Sequence, residues 1–203
     1  MEYIYEAHDM IPKTFCRELI EKFDRDSRKA EGLTKGGTVL KIKKCTDLSI
    51  ESYADWKLEC NRIDKAFRTA LSEYITNLKL NVFGEDKLHI VDQLFNNPNI
   101  TRTRFLMGRY GVGGHFNWHI DQNPITINIC NFIIYLNDNE ACTEILNGKK
   151  IKPEPGKIVF FPSTWTYSHC GQPVEKGNKY IITGFVIYEK ELTQSLPFTI
   201  THD

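Results

Sequence analysis

The chain has 203 residues, of which 41% are apolar and 26% charged, and its 26 basic residues balance 26 acidic ones. That size and composition suit one soluble globular domain over residues 1–203 with a full hydrophobic core. A zero formal charge gives no general attraction to phosphate backbones, so nucleic acid is not the expected partner.

The first residues, Met1-Glu-Tyr-Ile-Tyr-Glu6, lack the basic and apolar stretches of a secretory leader. No apolar run reaches the roughly 18 residues that cross a bilayer. A cytoplasmic setting without a membrane partner is therefore expected. The cysteines, Cys16, Cys45, Cys60, Cys130, Cys142 and Cys170, are scattered and form no C-x-x-C pair. Neither a disulfide framework nor a thiolate zinc site is expected.

Residues 1–80 read as helical support. After Ile11-Pro12, the residues Phe15, Leu19, Ile20 and Phe23 recur at helical spacing, and proline suits a helix start. A second helix is expected between Asp55 and Leu78, where Leu58, Ile63, Phe67, Leu71, Ile75 and Leu78 form the apolar stripe. Both helices should cover one face of a sheet. Between them, residues 31–44 contain Gly32, Gly36 and Gly37 followed by a lysine-rich run. Two readings stay open for this segment, a surface hairpin and a mobile lid over a site.

Residues 101–190 read as a β core. Strands are expected at 103–110, 116–121, 126–137, 143–146, 157–161 and 179–188. Turn signals such as Gly113-Gly114, Asn147-Gly148 and Pro155-Gly156 separate them. Helices followed by many short strands indicate an α+β chain whose sheet part is a sandwich, barrel or jelly roll.

The chemistry concentrates in Tyr110-Gly-Val-Gly-Gly-His-Phe-Asn-Trp-His-Ile-Asp121. Residues two apart on a strand share a face, so His119 and Asp121 can chelate one metal. A second imidazole must come from elsewhere, and His169, which follows the apolar strand 158–161, is the candidate. Two histidines and a carboxylate leave coordination positions open, the arrangement that suits Fe(II) and the activation of O2. The pair His115 and His119 has the spacing of a zinc-protease helix. Phe116 stands where such a protease has its glutamate, and three nearby glycines oppose a helix.

The segment Ser168-His-Cys-Gly-Gln-Pro-Val-Glu-Lys-Gly-Asn-Lys-Tyr180 resembles the prolyl 4-hydroxylase branch of the Fe(II)/2-oxoglutarate oxygenases. In that branch a distal histidine leads into Gly-x-Pro-Val and then a basic residue ten positions on, as Lys179 follows His169. The resemblance covers most of residues 102–189. It implies a double-stranded β-helix, or jelly roll, with N-terminal helices packed on one sheet. It also implies Fe(II) held by His119, Asp121 and His169, with 2-oxoglutarate and O2 as co-substrates and ascorbate as a candidate reductant. By the same resemblance Lys179 pairs with the distal carboxylate of 2-oxoglutarate, and Tyr110 and Tyr135 are further co-substrate contacts. Thr183, four residues beyond Lys179 and on the same face of a strand, is expected to add a hydroxyl contact. The activity implied is hydroxylation of a C–H bond with release of succinate and CO2. Asp121 favours hydroxylation, because related halogenases lack a carboxylate there.

Two departures leave the substrate open. Glu140-Ala-Cys-Thr143 replaces the Gly-Gly-x-Thr turn of many relatives, and Tyr180 stands where tryptophan is frequent. A prolyl residue in a peptide or protein is the expected substrate. A free amino acid or other small molecule is the alternative substrate. A non-catalytic peptide binder or a hydrolytic zinc enzyme are the alternative classes. Trp118, Trp165 and Tyr167 flank the ligands, either lining a substrate pocket or packed in the sandwich.

Overall fold

The computed structural model describes residues 3–32, 41–122 and 127–189. In chain order the described elements are β1 (Tyr5–Ala7), α1 (Lys13–Arg25), β2 (Ala30–Glu31), β3 (Lys43–Lys44), β4 (Thr46–Ser49), α2 (Lys57–Asn77), α3 (Leu88–Phe95), β5 (Ile100–Arg102) and β6 (Leu106–Tyr110). There follow β7 (His115–His119), β8 (Ile127–Tyr135), β9 (Thr143–Ile145), β10 (Lys150–Ile151), β11 (Ile158–Pro162), β12 (His169–Gly171) and β13 (Lys179–Tyr188).

The strands form two antiparallel sheets. The larger, eight-stranded sheet runs β1-β11-β8-β13-β6-β4-β2, with β5 also paired to β13. The smaller, five-stranded sheet runs β10-β9-β12-β7-β3. Side-chain alternation along the central strands assigns each residue a layer. On β8, Phe132 and Ile134 join the core beneath the helices, while Ile133 and Tyr135 join the core between the sheets. On β11 the split is Ile158 and Phe160 against Val159 and Phe161, and on β13 it is Ile182 against Ile181. The result is the expected α+β architecture of helices, a large sheet and a small sheet.

The helices sit as the sequence implies, with one correction. Helix α1 begins immediately after Pro12 and buries Phe15, Cys16, Leu19 and Phe23. Helix α2 buries Cys60, Ile63, Phe67, Ala70 and Tyr74. Leu58, expected in the stripe, is 76% exposed. The buried face runs through Ala70 and Tyr74, small and amphipathic residues that an apolar count undervalues. Phe67 anchors the helix on the sheet, with ring centroids 4.8 Å from Phe132 and 5.8 Å from Phe160. Helix α3 was not expected. It is short and buries only Val91, too little for a visible period.

Arg102 ties α2 to the sheet. It donates to both carboxylate oxygens of Glu51 at 2.8 Å and to Asp64 at 2.9 Å, and its guanidinium lies 3.7 Å from the centre of the Phe105 ring. The turn before β11 needs Gly156, whose φ is +88° and where any Cβ would lie 2.1 Å from the Ile11 carbonyl oxygen. That oxygen belongs to the strap entering α1, and Met10 and Ile11 both donate to the Gly156 carbonyl.

Of the segment 31–44, residues 33–40 lie outside the described residues, and the lid reading with them. Glu31 lies in β2 and pairs with Thr46, and Lys43-Lys44 form β3 against β7. No helix among the described residues is long and apolar enough to cross a membrane.

Candidate metal centre and co-substrate pocket

The small sheet builds the centre. Strands β7 and β12 pair so that His119 and His169 stand opposite each other. Their ring centroids are 4.2 Å apart. Asp121, two residues past His119, completes the group: its Oδ1 lies 3.7 Å from His119 Nε2 and its Oδ2 3.3 Å from His169 Nε2. One potential ligand atom from each residue falls within 4.8 Å of the others, and this is the one such cluster among the described residues. His115 is not in it. The segment is strand, so the helical zinc reading fails.

Both rings are held for coordination. His119 Nδ1 donates to the Asn117 carbonyl at 2.8 Å, and His169 Nδ1 donates to the Tyr167 carbonyl at 3.1 Å. A carbonyl only accepts, so each Nδ1 carries the hydrogen and each Nε2 keeps its lone pair. Burial, followed by the neighbouring His169, holds the His119 imidazolium down to about 4. Burial also lowers His169. Two neutral imidazoles and a carboxylate are a donor set that fits Fe(II).

A β-bulge shapes the wall beside the centre. From His169 to Gly171 is two residues, but their partners His119 and Phe116 are three apart. The extra residue in β7 turns Phe116 to the same side as His119, and the rings stack at 3.6 Å. On the other flank, the Phe161 ring meets His169 edge-on at 4.9 Å.

The large sheet supplies the floor. Lys179, at the start of β13, is 2% exposed. Its ammonium donates to the Ala141 carbonyl at 3.0 Å and lies 5.3 Å from the centre of the Tyr110 ring. Among the described residues no carboxylate pairs with it. Burial therefore lowers its pKa to about 8. A Cβ at Gly171 would sit 3.7 Å from this ammonium, so glycine leaves the space over the charge open. A buried cation without a counter-ion is costly, and the charge fits a ligand carboxylate.

The other expected contacts line the same face. Tyr110 is paired with Lys179 in the β6–β13 register, and burial raises its pKa well above the ordinary value. The Tyr135 hydroxyl donates to Thr143 Oγ1 at 2.7 Å. Thr183 shares the strand face of Lys179 and pairs with Ile133. Trp118 and Trp165 are 50% and 64% exposed, which overturns packing within the sandwich for both.

Several neighbours escaped the sequence reading. Thr143 is buried beside Tyr135. Lys43 and Asp47 form a buried ion pair at 2.6 Å next to the Phe116 ring. Asn131 is buried on the inner face of β8, and its Nδ2 has no hydrogen-bond partner among the described residues. Only cross-strand register brings these residues to the site.

Comparison with known proteins agrees with this geometry. Residues 105–187 match the family model of the 2OG-Fe(II) oxygenase superfamily. No curated protein matches the chain by sequence. Among solved structures, the chain is similar to a viral collagen prolyl hydroxylase from Paramecium bursaria Chlorella virus 1, with 16% identity over 93% of this chain and 97% of that one and a TM-score of 0.60. It is also similar to a Trichoplax adhaerens prolyl hydroxylase in complex with a hypoxia-inducible factor peptide fragment. There the identity is 17% over 92% of this chain and 84% of that one, with a TM-score of 0.68. A Pseudomonas putida prolyl-4-hydroxylase matches with 14% identity over 92% and 94% and a TM-score of 0.60. At these identities the likeness is one of fold, the jelly roll with helices on one sheet. Residues 105–187, which carry the histidine and carboxylate cluster and the buried lysine, are the part of the chain that matches this superfamily, whose chemistry uses Fe(II), 2-oxoglutarate and O2.

Proposed function

We propose that the chain is a 2-oxoglutarate-dependent hydroxylase acting on a prolyl residue in a peptide or protein. The observation that carries this reading is the combination of a half-buried His119–Asp121–His169 cluster with a buried lysine that has no carboxylate partner among the described residues. The first is a ligand set for Fe(II), and the second is a charge suited to a diacid.

When bound, iron, 2-oxoglutarate and O2 supply the oxidising power. One oxygen atom enters the substrate C–H bond, and the other enters succinate as CO2 is released. The chain's own residues bind and orient. His119, Asp121 and His169 hold the metal, with their Nε2 and carboxylate atoms free to ligate. Lys179 neutralises the far carboxylate of 2-oxoglutarate in a dry pocket, where a charge-assisted bond is strong. Tyr110, Tyr135 and Thr183 line the same face and hold the co-substrate. Phe116 and Phe161 pack on the two imidazoles and exclude water. Ascorbate serves as an external reductant that keeps iron in its ferrous state.

The macromolecular substrate is supported by the open apolar rim. Trp118, Ile120 and Trp165 are exposed around the ligand-bearing segments, as suits contact with an extended chain. It is also supported by the similar Trichoplax adhaerens enzyme, which binds a peptide.

The test is succinate production from 2-oxoglutarate by anaerobically iron-loaded protein once oxygen is admitted, with and without proline-rich peptides, and with His169→Ala beside it. Succinate that requires iron, oxygen and His169 and rises with peptide supports the reading. Iron-loaded protein that makes none under any condition overturns it.

A further inference from the structure

Asn131 is 3% exposed, yet its amide is half used. Ser163, also buried, donates its hydroxyl to Asn131 Oδ1, while Asn131 Nδ2 meets no acceptor among the described residues. Leaving a buried donor unpaired destabilises the fold. A leucine of similar size would fill the position without that cost.

The register says what the donor faces. Asn131, Ile133 and Tyr135 alternate on one side of β8, and Ile133 and Tyr135 belong to the core between the sheets. The cross-strand partner of Asn131 on β11 is Phe161, whose ring packs edge-on against His169. Lys179 lies toward the other end of this face, beyond the Tyr135–Ile181 rung. Four residues of strand, about 13 Å, separate Tyr135 from Asn131. The lysine thus marks the far-carboxylate end of the pocket, and Asn131 marks the metal end.

We infer that Asn131 is a co-substrate-binding residue whose Nδ2 donates a hydrogen bond to an oxygen of the chelating, 2-oxo acid end of 2-oxoglutarate, with Ser163 fixing the amide so that the NH2 group points inward. This rests on the co-substrate reading given above. The chemistry is matched: an anionic oxygen accepts from a neutral buried donor with no added charge beside the metal. The depth of Asn131 sets it apart from the exposed rim of Trp118 and Trp165, where a polymeric substrate makes contact.

The experiment is calorimetric titration of the full chain loaded with Mn(II), which holds the site without turnover. Two probes are used. 2-Oxoglutarate carries both ends, and oxalate carries the chelating end alone. The variants are Asn131→Leu combined with Ser163→Ala, Asn131→Asp, and Lys179→Met as reference. The double variant removes both polar partners together. Asn131→Asp keeps an acceptor for Ser163 and replaces only the donor.

Wild type should bind both probes. Both Asn131 variants should bind oxalate and 2-oxoglutarate about tenfold or more weakly. Lys179→Met should weaken 2-oxoglutarate and leave oxalate unchanged. Without metal or probe, the double variant should melt no lower than wild type, because its native environment loses an orphan donor. If a folded Asn131 variant binds oxalate as wild type does, the inference is overturned while the enzyme reading stands. A double variant that melts clearly lower than wild type, with Asn131→Asp retaining wild-type oxalate affinity, makes Asn131 a structural residue. If Mn(II)-loaded wild type binds neither probe, the co-substrate reading itself falls.

Discussion

His119 and His169 use the same local device: each imidazole donates its Nδ1 hydrogen to the carbonyl two residues upstream, Asn117 for one and Tyr167 for the other. Both Nε2 atoms are therefore free before any metal arrives. The site is preorganised, so removing a ligand should act on metal binding more than on folding. His119→Ala and His169→Ala should each weaken Fe(II) or Mn(II) binding by more than about 100-fold, since losing an outer-shell partner alone costs 10- to 100-fold. Metal titration of the anaerobic protein reads this directly. Each variant should keep the wild-type circular dichroism spectrum.

Metal that binds only the folded state must raise its melting temperature. At 100 times the dissociation constant the stabilisation is about 2.7 kcal/mol, or roughly 5–11 °C for a chain of this size. A melt with and without Mn(II) should show that rise in wild type and not in His169→Ala. A chelator should reverse it.

Lys179 gives a pH signature of known sign. Its folded pKa is lowered by burial to about 8, against an ordinary 10.5. Between those values the unfolded chain holds more protons than the folded one, so stability of the ligand-free protein should rise with pH across that window. Co-substrate binding should run the other way. The ammonium form binds the carboxylate, so affinity is full below about pH 8 and falls by up to tenfold per pH unit above it. Lys179→Met should lose both slopes and, without ligand, should be more stable than wild type near neutral pH. Chemical denaturation at several pH values tests the first slope, and titration calorimetry tests the second.

The α2 contacts predict an asymmetry between two apolar residues. Phe67 is buried against Phe132 and Phe160, whereas Leu58 faces solvent. Phe67→Ala should cost about 3–5 kcal/mol, and Leu58→Ala about 0.5 kcal/mol or less. Urea unfolding curves of the two variants separate these values.

That asymmetry also shows where sequence stops being informative. Strand alternation suffices to place His119 and Asp121 on one face, and the spacing of Lys179 from His169 suffices to nominate the lysine. The strands themselves were legible wherever they were long, as in β8 and β13. What was not legible depends on tertiary register. Asn131 lies on a face visible in the sequence, but its missing partner is visible only once Phe161 and Phe185 are aligned beside it. Phe116 reaches His119 through a bulge that no local pattern announces. Lys43 falls in a segment that reads as a surface hairpin or a lid, and Asp47 carries no local signal, yet the two pair in the interior. Leu58 carried the right hydrophobicity at the wrong angle.

The topology also has a temporal consequence. Tyr5 pairs with Phe160, and the two histidines that face each other are separated by fifty positions of chain. Contacts this distant in sequence close late and slowly, because loop-closure entropy is lost before any pairing compensates for it. During synthesis the chain carries His119 and Asp121 well before His169 emerges, and the buried lysine arrives later still. Metal capture by the proposed triad would therefore wait until β12 pairs with β7, and bound metal would report that the small sheet has closed.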